Sequence, residues 1–142
     1  VTLHEVGPAE SYCDSCILVE SGHQRVALIG DLAFCGVHSY TTDGHSTEWL
    51  AAPEHLSAEP GGPTLYPGHG PAGDIEIFAE QRKYLVAYRE AVERLREGAD
   101  TVTDAQKDEL SSRMAEFTPD ACLGRLVPLG ADPVAGELAA GQ

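Results

Sequence analysis

Two short stretches carry the residue types that metal-assisted chemistry uses. Gly30-Asp31 follows the apolar run Val26-Ala27-Leu28-Ile29, and Pro67-Gly68-His69-Gly70-Pro71 follows Thr64-Leu65-Tyr66. A carboxylate and an imidazole are common zinc ligands. If both apolar runs are strands of one sheet, Asp31 and His69 each lie at a strand's C-terminal end. Strand ends that share an edge bring side chains distant in sequence into one site. The plainer alternative gives Asp31 a turn-capping role and leaves His69 in a polar loop.

Other reactive side chains are more scattered. Cys13-Asp14-Ser15-Cys16 is a C-x-x-C, a spacing that suits thiol redox chemistry or thiolate–metal binding. The redox form normally opens a helix, whose N-terminus lowers the thiol pKa, whereas here Cys16 enters a strand. His38 and His45 are further imidazoles in the segment after Asp31, and the isolated Cys35 and Cys122 read as small packing residues. No serine sits in a Gly-x-Ser-x-Gly turn, and no phosphate-cradling glycine loop is present. Tyr84 and Tyr88, at helical i, i+4 spacing, and Trp49 read as core or interface aromatics.

The elements that must position these groups follow from periodicity. Thr2 to Val6 predicts a short strand, and Cys16 to Glu20 and Arg25 to Ile29 a hairpin joined by Ser21-Gly22-His23-Gln24. The hairpin strands are continuously apolar, so both faces of their sheet are expected to be covered. From Gly30-Asp31 to Gly44 the chain reads as irregular. Ser46 then predicts the cap of a short helix with Trp49, Leu50 and Leu56, which Pro53 must start, kink or end. Thr64 to Tyr66 predicts a strand, and the Pro67–Pro71 stretch after it a loop that delivers His69. Phe78, Leu85, Tyr88, Val92 and Leu95 make Asp74 to Glu97 a long amphipathic helix stopped by Gly98. A second helix follows the cap Thr103 through Leu110 and Met114, and Thr118-Pro119-Asp120 reads as the start of a third. The last ten residues show no strong pattern.

Length and charge bound the function. A 142-residue chain can bury one sizeable core, roughly 68–70% of its unfolded surface. With 42% hydrophobic and 23% charged residues, its composition is that of a folded globular domain, not a disordered chain. The net charge of −14 repels phosphate backbones and anionic headgroups, which argues against nucleic acid and membrane surfaces as partners. No apolar run approaches the roughly 20 residues of a bilayer span. The start at Val1-Thr2-Leu3-His4-Glu5 reads as folded sequence, so a cytoplasmic protein with four reduced cysteines is the expectation.

Taken together, Gly30-Asp31-Leu32-Ala33-Phe34 to Gly44-His45-Ser46, Trp49-Leu50, Tyr66-Pro67-Gly68-His69-Gly70-Pro71 and the helix after them resemble the C-terminal half of the metallo-β-lactamase-fold hydrolases. The resemblance spans roughly residues 5 to 100 and, more weakly, the C-terminal helices. It implies an α/β fold, half of an α/β/β/α sandwich: a mixed sheet with helices on one face. Residues 1–142 would form a single truncated domain of this type, 1–73 giving the sheet and metal-type loops and 74–142 the helices. The other sheet face would be buried in a homodimer or against a complementary N-terminal half, because a soluble monomer rarely exposes a large apolar face.

By the same resemblance Asp31 bridges two metals and His69 binds the second, with zinc or another divalent transition metal as cofactor. The chain departs from the family in two places. It has no His-x-His-x-Asp-His motif, and in Glu10-Ser11-Tyr12-Cys13-Asp14-Ser15 it has Tyr12 where the family has a histidine. A phenol, which ordinarily keeps its proton up to about pH 10, is a poor zinc ligand, whereas the thiolate of Cys13 is a good one, one residue away. Three functions follow as expectations. The first is a metal-dependent hydrolase with Asp31, His69 and Cys13 as ligands; the others are a non-catalytic binding or assembly module on the half-fold, and a thiolate metal or redox role for Cys13 and Cys16.

Overall fold

A computed structural model describes residues 1–52 and 62–141. Four strands form one mixed sheet in the order β1-β2-β3-β4. These are β1 (Thr2–Gly7), β2 (Asp14–Ser21), β3 (Gln24–Phe34) and β4 (Thr64–His69). The first three are antiparallel neighbours, and β4 pairs parallel to β3. The predicted hairpin is present: Ser21 pairs with Gln24, and Gly22, at φ +59°, is the first central residue of the turn, a position that favours glycine.

Two strands run further than the sequence suggests. β3 continues through Gly30-Asp31 to Phe34 instead of becoming irregular, because a bulge at Gly30, φ +53°, absorbs the break in its ladder with β4. β4 continues through Pro67-Gly68 to His69 instead of ending in a loop. It is an edge strand, where a proline's missing N–H leaves no ladder bond unmade on its open side.

The described residues also form four α-helices: α1 (Ser46–Ala51), α2 (Glu76–Arg96), α3 (Asp104–Phe117) and α4 (Ala131–Ala139). In α2 the predicted Phe78, Leu85, Tyr88 and Val92 are buried; full burial of each such side chain stabilises by roughly 1.5–3 kcal/mol. Its first turns pack with Ile29, Leu32, Phe34, Trp49 and Leu65 against the sheet. Its second half packs with Leu110, Met114, Val127 and Val134 of the C-terminal helices. One helix thus joins two apolar clusters. Tyr84, Tyr88 and Trp49 are core residues, and Trp49 Nε1 donates to Leu32 O at 2.8 Å.

Thr103 caps α3 in a reciprocal capping box with Gln106, as its position predicts. Ser46 does not cap α1. It is the first helical residue, and its N–H and hydroxyl both donate to the Glu137 carboxylate of α4. Thr118-Pro119-Asp120 ends α3 and starts no helix, because the residue before a proline is driven out of the α region and Thr118 sits at φ −132°, ψ 73°. The next helical residues are a 3-10 segment, Gly124–Gly130, leading into α4, which occupies the stretch without a clear pattern. Leu56 and Pro53 lie outside the described residues.

Among the described residues, helices cover one face of the sheet and not the other. Leu3, Ile17, Leu28 and Tyr66 are register partners across all four strands on the other face, and are 68%, 37%, 46% and 46% exposed. The expected cover for this face does not come from the described residues of the chain itself. Among those residues no helix is long and apolar enough to cross a membrane.

Candidate functional site at the carboxyl end of the sheet

The parallel pairing of β3 and β4 carries Asp31 and His69 to the same end of the sheet. Between Gly30 and Phe34 the strand β3 uses more residues than its partner does between Pro67 and His69, and this bulge turns Asp31 toward β4. His69 Nε2 lies 3.8 Å from Asp31 Oδ1, with the two side chains 47% and 39% exposed. That is too long for a hydrogen bond. It is near the roughly 3.3 Å that separates two donors bound at about 2.0 Å to one tetrahedral ion.

Neighbouring backbone holds this pair in place. Gly68 has no side chain, and a Cβ there would overlap Asp31 Oδ1. The His69 ring stacks on Phe34, with centroids 5.3 Å apart and planes 10° from parallel. His69 O accepts the Cys35 N–H at 3.0 Å. Phe34 is fixed in turn by buried Gln81 of α2, whose Oε1 accepts the Phe34 N–H and whose Nε2 donates to Ser39 Oγ, both at 3.0 Å. Helix and sheet are therefore locked together at the site's inner edge.

The β1–β2 connection brings further acids to this end. Glu10 is partly buried, and its carboxyl is pushed up from 4.5 to about 7, first by burial and then by the negative charges of Asp31, Asp14 and Asp43. Residue pattern does not single out Glu10, since its environment arises only when this connection reaches the Asp31 end of β3. The exposed Tyr12, in the slot where a histidine is expected, sets its ring edge-on to His45 at 5.7 Å.

The other candidates lie elsewhere. Cys13 is exposed, and its Sγ lies 3.8 Å from Glu5 Oε1 of β1. Cys16 is buried in the core, where burial raises its thiol pKa, so the two cysteines of the C-x-x-C occupy opposite environments. His38 is a buried core residue whose Nδ1 lies 3.0 Å from Tyr84 OH, and burial lowers its pKa. Cys35 and Cys122 are unpaired thiols on the segments that flank the sheet's end.

A catalytic zinc site uses three protein ligands and an open position. Among the described residues no three His, Cys, Asp or Glu side chains come together as a set able to hold a metal ion. Asp31 and His69 fit as two donors, and the described part of the chain does not supply the remainder. No family model matches this chain, and no curated protein matches it.

Proposed function

We propose that this chain is half of a metal-dependent hydrolase of the metallo-β-lactamase type, whose Asp31–His69 pair is completed by donors from a second polypeptide on the open sheet face. The observation that carries this reading is the 3.8 Å approach of His69 Nε2 to Asp31 Oδ1 from the ends of two parallel strands. Asp31 and His69 would hold a zinc or similar divalent ion, which as a Lewis acid supplies an activated water for hydrolysis. The partner is a second copy of the chain or a complementary half. A cytoplasmic setting, in which all four thiols stay reduced, belongs to the same reading.

A specific observation favours a second reading, a non-catalytic assembly module. The apolar row Leu3, Ile17, Leu28, Tyr66 offers an exposed apolar surface whether or not the two-donor site holds an ion.

Metal content by plasma mass spectrometry, on tag-free protein prepared without added metal or chelator, separates the two. One transition-metal ion per chain or per assembly, lost in Asp31→Ala, supports the hydrolase reading. A folded, metal-free protein that self-associates supports the assembly module. A metal-free monomer without a partner removes both.

A further inference from the structure

A cavity lies behind Phe34, on the side of the sheet that carries the helices. It opens between the end of β3, the first turns of α2 and the segment that follows α3, and encloses about 520 Å³, within the range of small-molecule sites. Phe34, Ile77, Tyr84 and Phe117 supply its apolar wall. Phe117 is 49% exposed although it is a large aromatic, as suits a residue at the mouth of a cleft.

The charged residues that line this cleft are all acidic. Asp74, Glu76, Glu80 and Asp120 line it and are exposed, and no lysine, arginine or histidine is among the lining residues. Two of the four carboxylates are already engaged: Asp74 Oδ1 accepts the Glu76 N–H at 3.0 Å, and Glu80 pairs with Lys83 at 2.5 Å. The Glu76 and Asp120 carboxylates accept no hydrogen bond from another described residue, and Glu76 is also within electrostatic reach of the Lys83 ammonium. They sit on separate elements, α2 and the segment after α3.

We infer that this cleft binds a small organic cation with an apolar body, an arylalkylammonium in chemical class. Three features match that ligand together. The apolar wall takes the hydrocarbon. The Glu76 and Asp120 carboxylates complement its charge at the mouth. The whole-chain charge of −14 raises the local concentration of cations and lowers that of anions. A bare metal ion would leave the aromatic wall unused, and an organic anion would meet four carboxylates.

The probes are phenylbutylammonium, phenylbutanol and phenylbutyrate, which share the hydrocarbon and differ in charge, titrated calorimetrically into the full chain. The cation is expected to bind about tenfold more tightly than the alcohol, and the acid more weakly still, with the gap narrowing at high salt. Glu76→Gln combined with Asp120→Asn is expected to abolish the preference for the cation and leave phenylbutanol binding unchanged. Phe117→Ala is expected to weaken the cation and the alcohol alike. All three positions are exposed, and circular dichroism checks that each variant folds; Phe117→Leu replaces Phe117→Ala if that variant does not. Cys35 lines the same cleft and Cys13 does not, so bound cation should slow the alkylation of Cys35 by N-ethylmaleimide, read by peptide mass, and leave Cys13 unaffected. Equal binding of cation and anion, no binding by any probe, or binding without protection of Cys35 would each overturn the inference.

Discussion

Asp31 Oδ1 occupies the space that a side chain at Gly68 would fill. The closest approach between β3 and β4 at the candidate site is therefore set by a missing Cβ, and the Asp31–His69 separation of 3.8 Å depends on it. A methyl group at position 68 must push Asp31 away or open the end of the sheet.

Gly68→Ala is accordingly expected to displace the Asp31 carboxylate at a cost of roughly 1 kcal/mol or less, because the clash falls on the far end of a partly exposed side chain and the Gly30 backbone lies 3.4 Å away. It is also expected to move the ring resonances of His69. Gly98→Ala is a control of different kind, since φ is +87° there but no atom lies within 4 Å of the added carbon. Urea unfolding with imidazole NMR reads both effects. Wild-type His69 resonances in a folded Gly68→Ala protein would show that the pair does not depend on this contact.

Glu10 links the same end of the sheet to pH. Its carboxyl is raised from 4.5 to about 7 in the folded chain, so between those values the folded state holds a proton that the unfolded state has released. Stability from this group is fully present below about pH 4.5 and is lost as pH rises through 7. Glu10→Gln removes the penalty. It is expected to stabilise the protein at pH 8 by roughly 1–2 kcal/mol, allowing for solvent screening of a partly exposed group, and to change little at pH 4. Denaturant midpoints of both proteins across that range test this. An equal offset at every pH would rule out Glu10 titration as the cause.

The pairing of Asp31 with His69 is readable from sequence because two apolar runs, each followed by a chemically distinctive residue, imply strand ends on one edge. The long helix is readable for a similar reason: Phe78, Leu85, Tyr88 and Val92 keep one stripe apolar over several turns, and all four are buried. The helix α4 is not. Ala131, Ala135 and Gly136 give little hydrophobic contrast, Pro133 sits in its first turn, and the buried position 137 is a glutamate. Glu137 makes sense only through Ser46 and Arg89, which are far away in the chain. The same limit hides Glu10, whose shift comes first from burial and then from three aspartates on separate segments.

The Glu137 contacts also predict a large effect from a single atom pair. Its carboxylate accepts from the Ser46 N–H at 2.8 Å and pairs with Arg89 at 3.1 Å, and the Arg89 and Glu137 side chains are 13% and 5% exposed. Breaking a buried ion pair by removing one partner costs about 3–5 kcal/mol. Glu137→Ala is expected to fall in that range, since it also strips α1 of the acceptor at its first turn. Arg89→Met with Glu137→Leu, which removes both charges and keeps volume, is expected to recover much of the loss. A double variant no more stable than Glu137→Ala would mean that the contact with Ser46, and not the ion pair, dominates.

The open face of the sheet gives the remaining prediction. Leu3, Ile17, Leu28 and Tyr66 stand side by side in register, one from each strand, while their neighbours Cys16, Ala27, Ile29 and Leu65 point into the core. A charge placed in that row faces solvent in the single chain, so it leaves the core untouched; in an assembly packed on this face it is buried without a partner. Leu28→Lys is therefore expected to keep the unfolding midpoint of the isolated chain within about 0.5 kcal/mol, the range of ordinary surface substitutions. Association by this face would weaken by more than tenfold, as burying an unpaired charge demands. The lysine is chosen over glutamate because the chain already carries a net charge of −14, so an added positive charge cannot weaken self-association merely by increasing repulsion. Sedimentation velocity over a concentration series reads the outcome. Self-association that persists in Leu28→Lys at wild-type strength would place the interface elsewhere, and with it any donors a second copy brings to Asp31 and His69.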